Sequence, residues 1–320
     1  MRDLSYSDGD PLNAIVGVSK EIRRIKEVIR RVAHGDFPVL LEGETGTGKE
    51  LAARVIHALS DRNFMPFIPV NCSAIPRDLM ESEFFGYKKG SFTGANSDYK
   101  GLFGAANKGV LFLDEIVEMP VSLQTKLLRA IEDREIKRIG DSKYTRVDVR
   151  ILAATNQDVD EAIEKGKLRK DLYYRLACVR IKIPPLRDRL SDIPVLAKFF
   201  ISCFNRKYKK RKEGVTKRAL EAMMFYRWPG NVRELKNVIQ KAYILSDRSC
   251  IDTRDLPPEL LNEERNEIQP SSKTIEDAEK KAILEALRAA GGNKTKAAKL
   301  LNIGRRTLYL KLQKYNLRVK

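Results

Sequence analysis

The chain has 320 residues, 42% of them hydrophobic and 32% charged, which is enough for two or three domains with sizeable cores. Its formal net charge of +18 favours an anionic partner. No run of about 18 apolar residues occurs and the N-terminus is polar, so we expect a cytoplasmic protein with neither a membrane span nor a signal peptide. The four cysteines are far apart and only two histidines occur, which argues against a zinc site or a disulfide framework.

Short apolar runs alternate with helical patterns over the first two thirds of the chain, which predicts an α/β class with buried parallel strands. The predicted strands are Pro38–Glu42, Phe67–Val70, Val110–Asp114, Arg150–Thr155 and Val179–Ile183. After Pro184 and Pro185 the strand patterns stop, and a helical lid subdomain is predicted instead. Its helices are predicted at Ile193–Tyr208, Thr216–Phe225 and Asn231–Ser246.

A glycine-rich segment follows the first predicted strand and opens a predicted helix, which is the context that a P-loop requires. Its glycines let backbone N–H groups wrap the phosphates of ATP, and Lys49 adds a positive charge at the β- and γ-phosphates. The Ser or Thr that usually follows this lysine and ligates Mg²⁺ is Glu50 here, so another group or water must take that place. The predicted ATP-binding residues are Gly43, Glu44, Thr45, Gly46, Thr47, Gly48, Lys49 and Glu50.

Two carboxylates end the third predicted strand, at the edge where α/β sheets place their sites. Asp114 is positioned to hold Mg²⁺, directly or through water, and Glu115 is the predicted general base that polarises the attacking water. Glu115 alone could instead cap the next helix, but the pairing of two carboxylates favours catalysis. Asn156 ends the following strand, where it either orients water near the γ-phosphate or forms a turn.

At this point the sequence resembles the AAA+ activators of sigma-54 RNA polymerase, the bacterial enhancer-binding proteins of the NtrC family, from Ile15 to the C-terminus. The most specific mark is a loop that reads G-A-F-T-G-A in the family and departs here only at Ser91. The resemblance implies that this loop grips sigma-54 and remodels the closed promoter complex. An apolar Phe92 between glycines on a loop also indicates a partner on physical grounds. The expected contact residues are Gly90, Ser91, Phe92, Thr93, Gly94 and Ala95.

The resemblance also assigns roles to other positions. Asn71 corresponds to a switch residue that relays the γ-phosphate state to Glu115, and Arg169 and Arg175 match arginine fingers that reach a neighbouring subunit's nucleotide. Arg233 matches a residue that senses the nucleotide from the lid of the same chain. Residues 135–150 are predicted as a hairpin, with strands Ile136–Ile139 and Thr145–Val149, that supports the sigma-54 loop. Two residues, Val16 and Gly17, lie where the family holds the adenine.

The C-terminal segment resembles a Fis-type helix-turn-helix with helices at Lys294–Leu301 and Arg305–Tyr315. Residues 286–320 contain ten Lys or Arg and no Asp or Glu, which favours binding of double-stranded DNA. The helix before it, Ile275–Leu287, follows a predicted N-cap at Thr274. One face of this helix carries an apolar stripe that forms either the domain core or, as we favour, a dimer seam. The stripe consists of Ile275, Ala278, Ala282, Ile283 and Leu287. The expected DNA-binding residues are Lys294, Lys296, Arg305, Arg306, Thr307, Tyr309 and Gln313.

These observations predict an N-terminal extension at 1–14, an α/β ATPase subdomain at 15–184, a helical lid at 185–260, a linker at 261–273 and a helix-turn-helix domain at 274–320. Residues 1–14 are too short for a receiver domain, so control would come from a partner or from a longer chain. We expect a dimer that assembles into a hexameric or heptameric ring. Two other interpretations stay open: a replication-initiator or helicase-loader ATPase, and a repressor whose ATPase fold is only an oligomerisation scaffold.

Overall fold

A computed structural model describes residues 9–209, 211–261, 275–290, 293–301 and 303–315. Backbone contacts divide the chain into two compact units, Met1–Pro257 and Pro258–Lys320. The predicted α/β class with a helical lid and an all-α C-terminal domain is confirmed. Within the part of the chain that the structure describes, no helix is both long and apolar enough to cross a membrane.

The core of the first unit is a parallel sheet of five strands in the order β2-β3-β6-β1-β7. These strands are β1 Val39–Glu42, β2 Phe67–Asn71, β3 Val110–Asp114, β6 Arg150–Thr155 and β7 Val179–Lys182. All five were predicted to within one residue at each end, because continuous apolar runs between helices are typical of buried parallel strands. A separate antiparallel hairpin consists of β4 Glu135–Lys137 and β5 Tyr144–Arg146, shorter than the predicted strands.

Helices cover both faces of the sheet. They are α1 Lys20–Ala33, α2 Lys49–Ala58, α3 Arg77–Phe85, α4 Gly101–Ala105, α5 Val121–Glu132, α6 Val159–Glu164 and α7 Lys170–Leu176. Successive strand residues face opposite sides, so Leu111 and Leu113 pack with α3 and α5 while Val110 and Phe112 pack with α1 and α2. The strand backbones are therefore fixed from both sides, and their carboxyl ends form one rigid edge.

The lid contains α8 Asp192–Tyr208, α9 Lys217–Phe225 and α10 Asn231–Leu245. Thr216 caps α9, since its hydroxyl accepts a hydrogen bond from Ala219 N at 3.3 Å. The expectation that strands end at Pro185 is wrong, because β8 Gly214–Val215 pairs in parallel with β9 Cys250–Ile251. Strands of two residues are too short to produce a hydrophobic period, so sequence patterns could not reveal them.

The second unit is helical, with α11 Ile275–Ala289, α12 Lys294–Leu300 and α13 Arg305–Lys314. Its core consists of Ile283, Ala286, Leu287, Ala297, Ala298, Leu308 and Leu312. Ile283 and Leu287 are thus core residues and not a dimer seam, whereas Ala282, expected on the same stripe, is exposed. Most of the expected linker, residues 262–273, the helix cap expected at Thr274, and the side chains of Ile275 and Ala278 lie outside the described residues.

Candidate functional site

The P-loop joins β1 to α2. Six of the predicted ATP-binding residues, from Gly43 to Gly48, lie on this loop, and the other two, Lys49 and Glu50, begin α2. Gly46 and Gly48 have φ values of +82° and +110°, which side chains rarely adopt. A Cβ atom on Gly46 would also lie only 2.3 Å from the carbonyl oxygen of Gly230 in the lid. Glycine is therefore required at Gly46 by both its backbone conformation and its contact with the lid.

Lys49 is the first residue of α2 and is almost completely buried. Its Nζ donates hydrogen bonds to the carbonyl oxygens of Gly43 at 2.7 Å and Glu44 at 3.3 Å. Burial lowers the pKa of Lys49, although nearby Glu115 and Asp114 oppose this shift. A buried cation at a helix N-terminus, behind a loop of backbone amides, favours the binding of a polyphosphate.

The two carboxylates lie beside this lysine, at the carboxyl end of β3. Glu115 Oε1 is 3.9 Å from Lys49 Nζ, and burial raises the pKa values of both Asp114 and Glu115 above their usual range. Glu115 has a left-handed backbone with φ of +55°, which is unfavourable for a residue with a side chain. The structure thus brings the predicted base and the predicted metal ligand together with the P-loop lysine.

Asn156, at the end of β6, connects the base to the P-loop. Its backbone N–H donates to Glu115 Oε2 at 3.2 Å, and its side-chain Nδ2 donates to Thr45 Oγ1 at 3.0 Å. Of the two interpretations of Asn156, a role at the nucleotide site therefore has the stronger geometric support.

Mg²⁺ fits this site only as an ion shared with the nucleotide. Among the described residues no group of three or more His, Cys, Asp or Glu side chains could hold a metal by itself. Magnesium is usually bound by one or two carboxylates together with phosphates and water, and Asp114 provides such a carboxylate. Glu50 is engaged by Arg54, whose Nη2 lies 2.7 Å from Glu50 Oε1.

The lid contacts the P-loop through residues that the sequence did not single out. Arg187 donates two hydrogen bonds, of 2.8 and 2.5 Å, to the carboxylate of Glu44. Asn231 is fully buried, and its Nδ2 lies 3.1 Å from both Glu44 Oε2 and the carbonyl oxygen of Thr45. Arg233, which was predicted, donates its backbone N–H to the carbonyl oxygen of Gly46 at 3.3 Å and has an exposed side chain.

The structure does not bring every predicted catalytic residue to the nucleotide site of its own chain. Asn71 Oδ1 accepts hydrogen bonds from Ser73 N and Oγ, and within the described residues it makes none with Glu115. The guanidinium of Arg169 is bound to Asp171 at 2.6 Å. Arg175 lies exposed on α7, and no ion pair to it occurs in the described ranges.

The loop expected to contact sigma-54, residues 90–95, is a tight turn closed by a hydrogen bond of 2.9 Å from Gly90 N to the carbonyl oxygen of Ala95. Phe92 is 45% exposed, and its ring makes an edge-to-face contact with the ring of Tyr87, with centroids 5.0 Å apart. Apart from their chain neighbours, no atom of the described residues lies within 4 Å of the Cβ positions of Gly90 and Gly94. An aromatic side chain is therefore presented on an open loop, as predicted.

The β4–β5 hairpin supports the base of this loop. Lys88 N donates to the carbonyl oxygen of Ile139 at 3.0 Å, and Ile139 N donates to the carbonyl oxygen of Gly86 at 2.9 Å. A Cβ atom on Gly140, whose φ is +75°, would lie 2.6 Å from the Cβ of Ser91. The hairpin thus contacts the loop at the one position where the loop departs from the family pattern.

The candidate DNA-binding surface lies on α12 and α13. Asn293 caps α12 by accepting hydrogen bonds from Thr295 N and Lys296 N, at 3.0 and 3.2 Å. Lys294 is half-buried, whereas Lys296 and Thr307 are exposed. Residues Arg305, Arg306, Tyr309 and Gln313 lie on α13, but their side chains fall outside the described residues.

Comparison with known proteins agrees with this geometry. Residues 15–182 match the Sigma-54 interaction domain, residues 187–273 the AAA+ ATPase lid domain, and residues 274–315 the bacterial regulatory proteins of the Fis family. The transcriptional regulatory protein ZraR of Salmonella typhimurium is 44% identical over 305 residues, which cover 94% of this chain and 68% of ZraR. The regulatory protein AtoC of Escherichia coli is 43% identical over 296 residues, covering 90% of this chain and 64% of AtoC.

Solved structures show the same similarity. The crystal structure of NtrX from Brucella abortus in complex with ADP aligns with a TM-score of 0.72 at 32% identity, covering 94% of this chain and 70% of that one. The NtrX complex with ATP aligns with a TM-score of 0.72, also at 32% identity, covering 94% of this chain and 69% of that one. The chain therefore corresponds to about two thirds of the length of these relatives.

Proposed function

Since this chain belongs to the sigma-54-dependent transcriptional activators and is an AAA+ ATPase, we propose that it uses ATP hydrolysis to convert the closed complex of sigma-54 RNA polymerase into an open complex. The observation that carries this proposal is the exposed Phe92 on the loop of residues 90–95, in the same domain as a formed nucleotide site. The reaction would take place in the cytoplasm, where the polymerase acts.

Hydrolysis depends on the carboxyl edge of the sheet. Glu115 accepts a proton from the attacking water, and Asn156 holds that carboxylate through its backbone N–H. Lys49 and the P-loop amides stabilise charge on the β- and γ-phosphates. When bound, Mg²⁺ would neutralise phosphate charge, and Asp114 is the residue that would hold it.

In this proposal, full ATPase activity requires a ring of subunits. The ring is a hexamer or heptamer that is built from dimers. Arg169 and Arg175 lie on and beside α7, and the exposed side chain of Arg175 is available to a neighbour. A head-to-tail interface places one subunit's arginine at the next subunit's nucleotide, where it stabilises transition-state charge. Asn71 then acts as the switch that responds to the γ-phosphate, and Arg233, Val16 and Gly17 hold the nucleotide from the lid side and at the adenine.

The Fis-type domain anchors the activator to upstream double-stranded DNA. Lys294 and Lys296 contact phosphates, while Arg305, Arg306, Thr307, Tyr309 and Gln313 face the major groove. Charge supports this assignment, because residues 286–320 carry ten basic and no acidic residues. DNA binding raises the local concentration of the ATPase near the polymerase.

Replacing Thr93 with Ala tests the proposed coupling. The Thr93→Ala variant should keep ATP turnover and DNA binding within about twofold of wild type, because residue 93 lies on the open loop and not at the nucleotide site. Transcription from a sigma-54 promoter should nevertheless be lost. The control is Ser97→Ala, just beyond the loop, which should leave transcription unchanged. Normal open-complex formation by the Thr93→Ala variant would assign the loop another role.

A further inference from the structure

A buried carboxylate at the start of the lid holds the segment that leads into α1. Asp192, the first residue of α8, is fully buried. Its carboxylate accepts hydrogen bonds from Val18 N at 2.6 Å, Ser19 N at 2.8 Å and Ser19 Oγ at 2.8 Å. Val18 and Ser19 directly follow Val16 and Gly17, the residues proposed to lie at the adenine. One lid side chain thus fixes the backbone at this edge of the nucleotide site.

Arg189 extends this connection to the P-loop. Arg189 is only 4% exposed, and its Nη1 lies 4.0 Å from Asp192 Oδ2 while its Nη2 donates to the carbonyl oxygen of Thr47 at 3.1 Å. Thr47 is two residues before Lys49. A carboxylate and a guanidinium of the lid therefore join the adenine side of the site to its phosphate side.

Stability alone is a poor explanation for this pair. Burying two charges costs free energy that their attraction often fails to offset, and apolar side chains can replace such pairs without loss of stability. Arg189 Nε is also buried and has no hydrogen-bond partner among the described residues, which adds to that cost. What the pair does provide is a fixed backbone geometry, because Asp192 accepts from the backbone N–H groups of Val18 and Ser19, and Arg189 donates to the carbonyl oxygen of Thr47.

Gly17 shows how closely the two segments approach. A Cβ atom at this position would lie 2.9 Å from Asp192 Oδ2 and 2.9 Å from Ile22 Cγ2. Real Cβ atoms essentially never make such contacts, so a larger residue would displace either the carboxylate or the backbone. The backbone at Gly17 therefore packs directly against the Asp192 carboxylate, with no room for a side chain between them.

We propose that Asp192 is a specificity-determining positioning residue, which holds the backbone of residues 16–18 so that the site selects adenine over guanine nucleotides. Adenine presents an amino donor where guanine presents a carbonyl acceptor, so a rigid backbone can pair with only one of them. A loosened backbone adapts to both bases, and the selectivity falls. This inference rests on the proposed placement of the adenine beside Val16 and Gly17.

The test compares Asp192→Asn with Asp188→Asn in the full-length chain. Asp188 lies four residues earlier and is exposed, so its replacement removes the same charge without touching residues 16–19. For Asp192→Asn, the Kd and KM for ATP should rise about tenfold, and the preference for ATP over GTP should fall by a similar factor. The kcat at saturating ATP should stay within about twofold, and Asp188→Asn should match wild type in every respect.

A second variant keeps the proposal testable if Asp192→Asn does not fold. Ser19→Ala removes only one of the three donors to Asp192 and should lower the ATP-to-GTP preference by a smaller factor, in the same direction. It also removes a cap of α1, but a loss of stability alone would not change the ratio of the two affinities. Wild-type preference in Ser19→Ala, or in folded Asp192→Asn, would overturn the proposal. Calorimetric affinities need no polymerase, so a wild type that binds ATP but opens no promoter would contradict only the proposed function.

Discussion

At the scale of single residues, the central assignment is that Glu115 is the catalytic base. Its carboxylate lies 3.9 Å from Lys49 and is held by Asn156 N, so it is fixed beside the phosphate-binding loop. The Glu115→Gln variant should bind ATP as wild type does and lose about 10²–10⁴-fold in turnover, because an amide cannot accept the proton. Paired binding and turnover assays check this, with Glu118→Gln as a control whose carboxylate instead bonds to Gln157. Turnover near the wild-type rate in Glu115→Gln would remove Glu115 from this role.

The raised pKa of Glu115 also makes stability depend on pH. Burial favours the protonated carboxyl, so the folded protein holds a proton that the unfolded chain releases. The resulting stabilisation is fully present below the ordinary glutamate pKa of about 4.3 and is lost as pH rises through the raised value. Without nucleotide, the difference in Tm between Glu115→Gln and wild type should therefore shift in favour of the variant from acid to neutral pH. The expected shift is about 2–4 °C for each kcal/mol of stabilisation that wild type loses. Melting curves at several pH values test this, and a constant difference in Tm would contradict it.

The sequence identified the site residues that belong to short local motifs. It did not identify the residues that reach the site only when distant segments of the chain pack together. Lys49, Asp114 and Glu115 follow strands in a recognisable order, so their meeting at one sheet edge was predictable. Arg189 and Asp192 look like an ordinary charged turn in the sequence. They become buried only because the lid folds onto the P-loop, and no pattern of residue spacing in the sequence indicates such burial.

At the scale of elements, the hairpin β4–β5 and the loop of residues 90–95 pack together as one structural unit. Gly140→Ala would place a Cβ atom 2.6 Å from Ser91 Cβ and force the loop away from the hairpin. We expect ATP turnover to be retained while sigma-54-dependent transcription falls roughly tenfold or more, since small misplacements of a contact surface are costly. Gly166→Ala is the matched control, because Gly166 also has a positive φ, of +66°, but open space around its Cβ position. Both variants carry about 1–2 kcal/mol of backbone strain, so equal transcription in the two would show that the contact with Ser91 has no role.

The proposed role of α13 in reading DNA leads to a separate prediction. Replacing Arg305 and Arg306 together with Ala should remove the preference for a specific DNA site, because arginine pairs with guanine edges. Loss of Lys296 should instead weaken binding to all sequences alike and reduce its salt dependence. Footprints and salt titrations on specific and random DNA distinguish these outcomes. An unchanged footprint in the double arginine variant would contradict the assignment.

Element prediction succeeded wherever a pattern ran over several residues. The five sheet strands and the long lid helices were found because their apolar residues repeat with a clear period. The strands β8 and β9 have two residues each and were missed. The stripe on α11 was found, but its role as core could be decided only when Ile283 and Leu287 were seen to pack with Leu308 and Leu312.

At the scale of the whole molecule, the proposed ring makes hydrolysis depend on contact between subunits. Arg175→Ala should lose about 10³–10⁵-fold in turnover despite an intact P-loop, as expected for an arginine finger. Mixed with Glu115→Gln, it should recover activity at about a quarter of the interfaces of a random equimolar ring, where an intact base meets an intact arginine. ATPase assays on each variant and on the mixture measure this recovery. No recovery after confirmed subunit exchange would mean that Arg175 acts within its own chain or is structural.

The central claim is that ATP hydrolysis by this chain opens a sigma-54 promoter, and strand separation at the start site measures it most directly. Single-stranded thymines can be detected by permanganate on a promoter that holds sigma-54 polymerase and the purified activator. We expect reactive thymines with wild type and ATP, and none with a non-hydrolysable analogue, with Glu115→Gln, or with Thr93→Ala despite its normal ATP turnover. Promoter opening by wild type without ATP hydrolysis, or a closed promoter despite rapid hydrolysis and bound DNA, would contradict the account.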